Sequence, residues 1–333
     1  MSKKSARRAA VGSGTATLEA PADNPRRPCP CGSGRRFKAC HGAADAADLI
    51  VPRPFAGLVA ETELIALREF VPSATAELSL RDGVLDTDTD AAATEGADEA
   101  PAPRRILLTT VLPGAAAALT RADGTVLLGM QVQTHSGDLS RDVVAALEWA
   151  LAAGPSQVLS VVGRATEGPR LQDVLVDEPL QVTVHDDFAW WLEQPAEPGS
   201  EVAASLERAN QAIMPTKRVA DRPGAYWVDA GDRAHLRWVR SEDEAPLMAA
   251  LARLAAADEL GLGEGSRYVG SFRAHGRLVP VWDLDRDAHP SEWDAPALAF
   301  EERLQQALAS DEPLTDAERR ARDGILGRQF TLR

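Results

Sequence analysis

Three cysteines and a histidine within thirteen residues form the one constellation in this chain whose side-chain types and spacing define a chemistry. They read Cys29-Pro30-Cys31-Gly32-Ser33-Gly34-Arg35-Arg36-Phe37-Lys38-Ala39-Cys40-His41. Zinc is held tetrahedrally by thiolate sulfur and imidazole nitrogen. C-x-C places two thiolates on the same side of an extended turn. Gly32 and Gly34 permit the tight reversal that follows, and the returning chain brings Cys40 and His41 to complete the shell. Arg35, Arg36 and Lys38 offset the negative charge of three thiolates. Phe37 is the segment's only large apolar side chain, so the metal must supply the folding energy, on the order of 10 kcal/mol or more. Four protein ligands leave no open position for a catalytic water, and the site reads as structural. The alternative, cysteines packed in a core, fits poorly with so basic and apolar-poor a segment. These are all the cysteines the chain has. Their clustering argues against a secreted disulfide scaffold and for a reducing, cytoplasmic setting.

The residues from Cys29 to Gly42 resemble the SEC-C motif, the zinc-binding tail of the bacterial preprotein translocase motor SecA. The likeness rests on the cysteine spacing, the Gly32-Ser33-Gly34 turn, Phe37 where the motif often has tyrosine, Lys38, and the terminal Cys40-His41. It covers about 14 residues, near the N-terminus here and at the C-terminus of a much larger ATPase there. No G-x-x-x-x-G-K-[ST] occurs, and none of Lys3, Lys4, Lys38 and Lys217 follows a glycine in that pattern, so the chain is not a translocase ATPase. In SecA the motif docks on the chaperone SecB and on ribosomes. The resemblance therefore implies docking on a protein or ribosomal partner, as a non-enzymatic zinc-binding adaptor. The layout as a whole resembles an actinobacterial family of SEC-C-containing proteins. Four lysines beside abundant arginine and alanine fit a high-GC genome.

Elsewhere the residues carry no comparable signal, and no catalytic or cofactor-binding residue is assigned. His185-Asp186-Asp187 could form a metal or acid–base cluster, but a strand end followed by a helix N-cap accounts for it better. His135 near Asp138 reads as loop, and His235 and His275 fall on expected hairpins. Asp283, Asp285 and Asp287 alternate, so they share one face of an extended segment. That face could take a cation, but without a glycine-punctuated loop a solvated edge or turn is the better reading. Asn210 to Arg218 holds Lys217 and could be an anion site or a plain turn. No G-x-S-x-G elbow is present. Trp190 and Trp191 should point to opposite sides of a helix, leaving one free for a partner.

Several elements must position these groups. The chain has 333 residues, 44% of them hydrophobic, and a net charge of −14. Residues 1–42 hold nine Lys or Arg against two acids, +7, which leaves −21 on the rest. A basic head on an acidic body suggests a polyanionic partner. RNA binding through that head is one reading, weakened by the lack of stacking aromatics beyond Phe37. There is no apolar leader and no apolar run long enough to span a membrane.

Composition divides the chain into a basic tail (1–24), the zinc module (25–43), a helical connector with an acidic linker (44–103) and an α+β domain (104–333). Residues 82–103 carry seven acids and no base, the mark of a solvated linker. Within the domain, Asp123-Gly124 and Gly231 mark hairpin turns. Strands are expected at 157–163 and 171–184, and helices at 139–153, 186–194, 241–257 and 291–309. Ser241 with Glu244 and Thr315 with Glu318 suggest capping boxes, the second opening a C-terminal helix. A shift of 107 residues aligns 37 positions without gaps, Ala118 meeting Ala225, Gly124 meeting Gly231 and Leu147 meeting Leu254. The fold expected is a duplicated ββα-ββα unit, about 105–195 and 224–309, paired about a pseudo-twofold. An enzyme site in the groove between the repeats is the alternative to the adaptor reading.

Overall fold

Alternating apolar residues build two separate sheets in this chain, and a single buried helix lies against both. In the computed structural model the chain divides into two units, Met1–Leu49 and Ile50–Arg333. The residues described are 50–85, 104–163 and 167–328, all within the second. Cys29, Cys31, Cys40 and His41 lie outside them. So do most of the expected acidic linker and all of the basic tail.

The elements run α1 (Glu61–Glu69), β1 (Ala74–Glu77), β2 (Ile106–Thr109), β3 (Ala118–Thr120), β4 (Val126–Gly129), α2 (Leu139–Ala152), β5 (Val158–Leu159), α3 (Leu171–Val174) and β6 (Val182–Val184). They continue with α4 (Glu201–Asn210), β7 (Thr216–Arg218), β8 (Ala225–Asp229), β9 (Ala234–Trp238), α5 (Glu244–Ala256), β10 (Ser266–Ala274), β11 (Arg277–Leu284), α6 (Asp294–Leu308) and α7 (Asp316–Leu326). The fold is α+β. The first sheet has the order β5-β3-β4-β2-β1-β6, with β2 and β4 parallel and the other pairs antiparallel. The second, β10-β11-β9-β8-β7, is antiparallel throughout.

The second sheet is buried on both faces. Tyr226, Val228, Val279 and Val281 join a core shared with α1, α2 and the first sheet. Trp227, Leu236, Trp238, Leu278 and Trp282 join a second core with α5, α6 and α7. Period-two alternation explains this division except in β10, where Tyr268 and Phe272 point to opposite cores despite their even spacing. The register shift between Tyr268 and Gly270 supplies the reason: a bulge adds one residue and inverts the alternation beyond it. The segment 50–80, expected as a connector, supplies the most completely buried helix. Leu64, Ile65, Ala66 and Leu67 are inaccessible to solvent, and β1 sits inside the first sheet between β2 and β6.

Hairpin followed by helix occurs twice at the expected places, as β3-β4-α2 and β8-β9-α5. The remainder of the repeat differs. The second half continues into the β10–β11 hairpin, whereas the aligned residues of the first half give no strand at 162–163 and open α3 at Leu171. The next strand inward also differs: β4 pairs with β2 in parallel, while β9 pairs with β11 in antiparallel. Of the expected strand 171–184, Val182–Val184 is formed; the start is helical because Leu171 and Val174 share one buried face and Asp173 accepts from the Arg170 N–H at 2.8 Å.

The expected helix at 186–194 is only a 3₁₀ turn, Ala189–Trp191. The indole N–H of Trp190 donates to Ser73 Oγ and that of Trp191 to the Val111 carbonyl, contacts that hold the turn against the first sheet. The Thr315–Glu318 capping box is present. The Ser241–Glu244 box is not: α5 starts from Asp243, and the Glu244 carboxylate is drawn to Arg273 on β10.

Candidate functional site

Helix α1 opens Glu-Thr-Glu and then turns apolar, so its burial takes two carboxylates inside with it. Glu61 is 5% exposed and Glu63 2%. Buried carboxylates are stable only when paired and hydrogen-bonded, and the second sheet supplies the partners. Arg277, first residue of β11, grips Glu61 through Nε at 3.1 Å and Nη2 at 2.7 Å. Arg53 grips the same carboxylate from the other side, at 3.1 and 2.9 Å. Burial pushes Glu61 toward neutrality, but the bonds from the two guanidinium groups outweigh it and hold its carboxyl below the usual range. Glu63 accepts from the Tyr226 hydroxyl at 2.7 Å and from Arg218 Nη2 at 2.5 Å. Here burial prevails, and the Glu63 carboxyl is raised. The Tyr226 hydroxyl is raised well above its ordinary value, first by burial and then by the carboxylate beside it.

Beside the start of α1 a cleft of about 560 Å³ opens toward the second sheet. Arg53, Glu61 and Arg277 form one part of its wall, and Arg222, Arg240 and Glu301 another. Arg240 is 4% exposed, lies 4.5 Å above the Trp238 ring and is bound by Glu242 at 2.5 and 3.0 Å. Glu301 meets Arg222 at 2.7 Å and Arg240 at 3.8 Å. Among the described residues no histidine or cysteine lines this opening, and each carboxylate on it is held by arginines. Glu63 and Tyr226, the groups with raised values, are sealed in the core away from it. The groups the cleft offers a ligand are guanidinium N–H donors.

The residues singled out from sequence are dispersed into separate structural roles. His185 Nε2 contacts Thr75 Oγ1 at 2.9 Å, Asp186 pairs with Lys217 at 2.7 Å, and Asp187 Oδ1 accepts from the Ala189 N–H. His135 contacts the Ser136 carbonyl, and Asp138 caps α2 and receives Arg170 at 2.7 Å. His235 lies 3.1 Å from Asp283, which Arg233 and Arg267 also bind. Asp285 accepts from the Asp287 N–H, closing a turn. His275 pairs with Glu69 at 2.7 Å. In the Asn210–Arg218 stretch, Asn210 accepts from the Phe188 N–H, and Lys217 and Arg218 are both ion-paired. Trp190 and Trp191 are both half-buried, so neither is left free. Among the described residues no group of three or more His, Cys, Asp and Glu could hold a metal ion, and no helix is long and apolar enough to cross a membrane. The α1 network escaped the sequence reading. Its signal was Glu61 and Glu63 directly ahead of the apolar run Leu64, Ile65, Ala66 and Leu67.

This mixed fold has two sheets against one buried helix, which ion pairs tie to the second sheet. Residues 54–333 match the model of a family of unknown function, DUF5926, and the chain belongs to that family. Residues 28–43 match the SEC-C motif, bearing out the resemblance read from Cys29 to Gly42. No curated protein and no solved structure matches the chain.

Proposed function

We propose that this protein is a non-enzymatic zinc-binding adaptor whose SEC-C head docks on a protein partner of the translocation, chaperone or ribosomal kind in the cytoplasm. The observation that carries this reading is the SEC-C match over residues 28–43, with three thiolates and an imidazole as a donor set suited to Zn²⁺. Cys29, Cys31, Cys40 and His41 are the proposed ligands, and a closed shell makes the metal a folding element. The body is compatible with the non-enzymatic part: among the described residues, the cleft beside α1 presents ion-paired arginines and carboxylates.

The test is capture of partners from a lysate by the full chain, by the chain treated with a chelator, and by Cys31→Ser. A partner set that depends on zinc and is lost in Cys31→Ser supports the adaptor; identical capture by all three refutes it. Ribosomal RNA recovered with no protein contact would move the reading to nucleic-acid binding through the basic head, and that binding should weaken steeply with salt.

We also infer that β3-β4-α2 and β8-β9-α5 descend from one duplicated unit. Gly124 and Gly231 align and share a left-handed turn conformation, φ 84° and 92°, and Ala118 and Ala225 are both wholly buried. A profile built from relatives over 118–154 that fails to find 225–261 would overturn this.

A further inference from the structure

The cleft beside α1 is rich in cations on a body that is otherwise strongly acidic. Residues beyond 42 sum to −21, yet four guanidinium groups, of Arg53, Arg222, Arg240 and Arg277, line one opening against only Glu61 and Glu301. Each of these carboxylates is shared by two arginines. Arg240 is further neutralised from behind by Glu242, and Asp243 stands 3.5 Å from Arg277 at the solvent rim. Two arginines keep donors in reserve. A guanidinium carries five N–H groups. Arg53 uses Nε and Nη2 on Glu61, and Arg222 sets Nε 2.7 Å from Glu301 as an ion pair without hydrogen-bond geometry. The Arg53 Nη1 and both Arg222 Nη atoms meet no protein acceptor among the described residues. Both side chains line the opening and are partly exposed, 35% and 43%. Between the arginines the wall is apolar, with Leu58, Pro223 and Val239.

We propose that this cleft is a binding site for a small phosphorylated molecule. The free forks of Arg53 and Arg222 take the phosphate oxygens, and the apolar wall takes the body of the ligand. A phosphate monoester offers three acceptor oxygens pointing in different directions, which suits two forks approaching from separate elements better than the single plane of a carboxylate does. With Glu242 and Asp243 counted, four carboxylates face the four arginines, so the phosphate's charge of about −1.5 to −2 at neutral pH is met by the unused donors of Arg53 and Arg222. The volume of about 560 Å³ falls within the range of small-molecule sites, about 300–1,000 Å³. Arg277 and Arg240 act as the fixed floor: buried, tied to their carboxylates, and adding field without moving.

The test uses the full chain and three probes at matched ionic strength: inorganic phosphate, adenosine monophosphate and citrate, with chloride as the reference. Isothermal titration calorimetry gives affinity, and amide resonances in heteronuclear NMR give location. Saturable binding of phosphate and of adenosine monophosphate is expected, with shifts confined to residues 57–62 and 239–241. Arg222→Gln should weaken both by about tenfold or more, as loss of a charge-assisted contact predicts. Arg319→Gln on α7, remote from the lining, should leave both unchanged. Should Arg222→Gln fold poorly by circular dichroism, Arg222→Lys replaces it, keeping the charge and losing the fork. Shifts no larger than those of chloride, affinity unaltered in the Arg222 variants, or citrate bound with phosphate excluded would each overturn the proposal.

Discussion

Replacing Tyr226 by phenylalanine deletes one oxygen atom and tests the buried network directly. The ring keeps its edge-on packing on Phe70, centroids 6.1 Å apart, and its place on the inner face of the second sheet. The 2.7 Å bond to Glu63 is lost, and Arg218 remains as its ion-pair partner. A hydrogen bond to a charged group contributes about 1.5–3 kcal/mol, against about 0.5–1.5 for a neutral pair. The cost should therefore depend on whether Glu63 is ionised. Burial already raises its carboxyl in the folded protein, and the Tyr226 bond works against that rise; without the hydroxyl the value climbs further. A carboxyl raised by folding favours the native state at acid pH, and that contribution is lost as pH rises from the unfolded value through the folded one. The variant carries the larger shift and so loses more. At pH 8 we expect a penalty of about 2 kcal/mol, a fall in Tm of about 4–8 °C, and roughly half that at pH 5. Thermal unfolding followed by circular dichroism at both pH values measures it. A penalty equal at the two pH values, or larger at pH 5, would refute the assignment of Glu63 as a buried carboxylate held by this hydroxyl.

Three further changes probe other links. Arg277→Met leaves Glu61 with Arg53 alone and should cost about 3–5 kcal/mol in urea unfolding near neutral pH; because the Glu61 carboxyl is lowered by folding, the gap from the parent protein should narrow as pH falls below its ordinary value of 4.5. Gly129→Ala would set a methyl group 2.4 Å from the Ala116 carbonyl oxygen, so a loss of about 1–3 kcal/mol is expected, whereas Gly154→Ala, with nothing within 4 Å, should melt as the parent does. Cys31→Ser should remove bound zinc, read by elemental analysis, and leave the main melting transition in place; a sharp fall in that transition would contradict independent modules.

Legibility in this sequence followed the range of the interactions. The proposed zinc ligands are thirteen residues from end to end, so spacing alone singles them out. The β3–β4 and β8–β9 hairpins were readable because Gly124 and Gly231 mark their turns and strand alternation is local. The amphipathic stripe of α2 was readable for the same reason. Where distant partners decide, local pattern misleads. Residues 186–194 have helical composition, yet indole bonds to Ser73 and Val111, more than 80 positions away for Trp190 and 80 for Trp191, hold them in a turn. The α1 network was invisible for that reason too: Glu61 and Glu63 lie 216 and 163 positions from Arg277 and Tyr226, and no window of sequence contains both ends.

Those separations govern how the chain is made. Helix α1 leaves the ribosome early, carrying Glu61, whose partner Arg53 precedes it, and Glu63, whose partners have not been synthesised. At about 5–20 residues per second, Arg218, Tyr226 and Arg277 follow about 10–40 s later. Until then burial of α1 strands the Glu63 carboxylate, a cost that disfavours closing the first sheet on its helix before the second has emerged. Removing that charge should let a premature, wrongly docked helix compete with the native one.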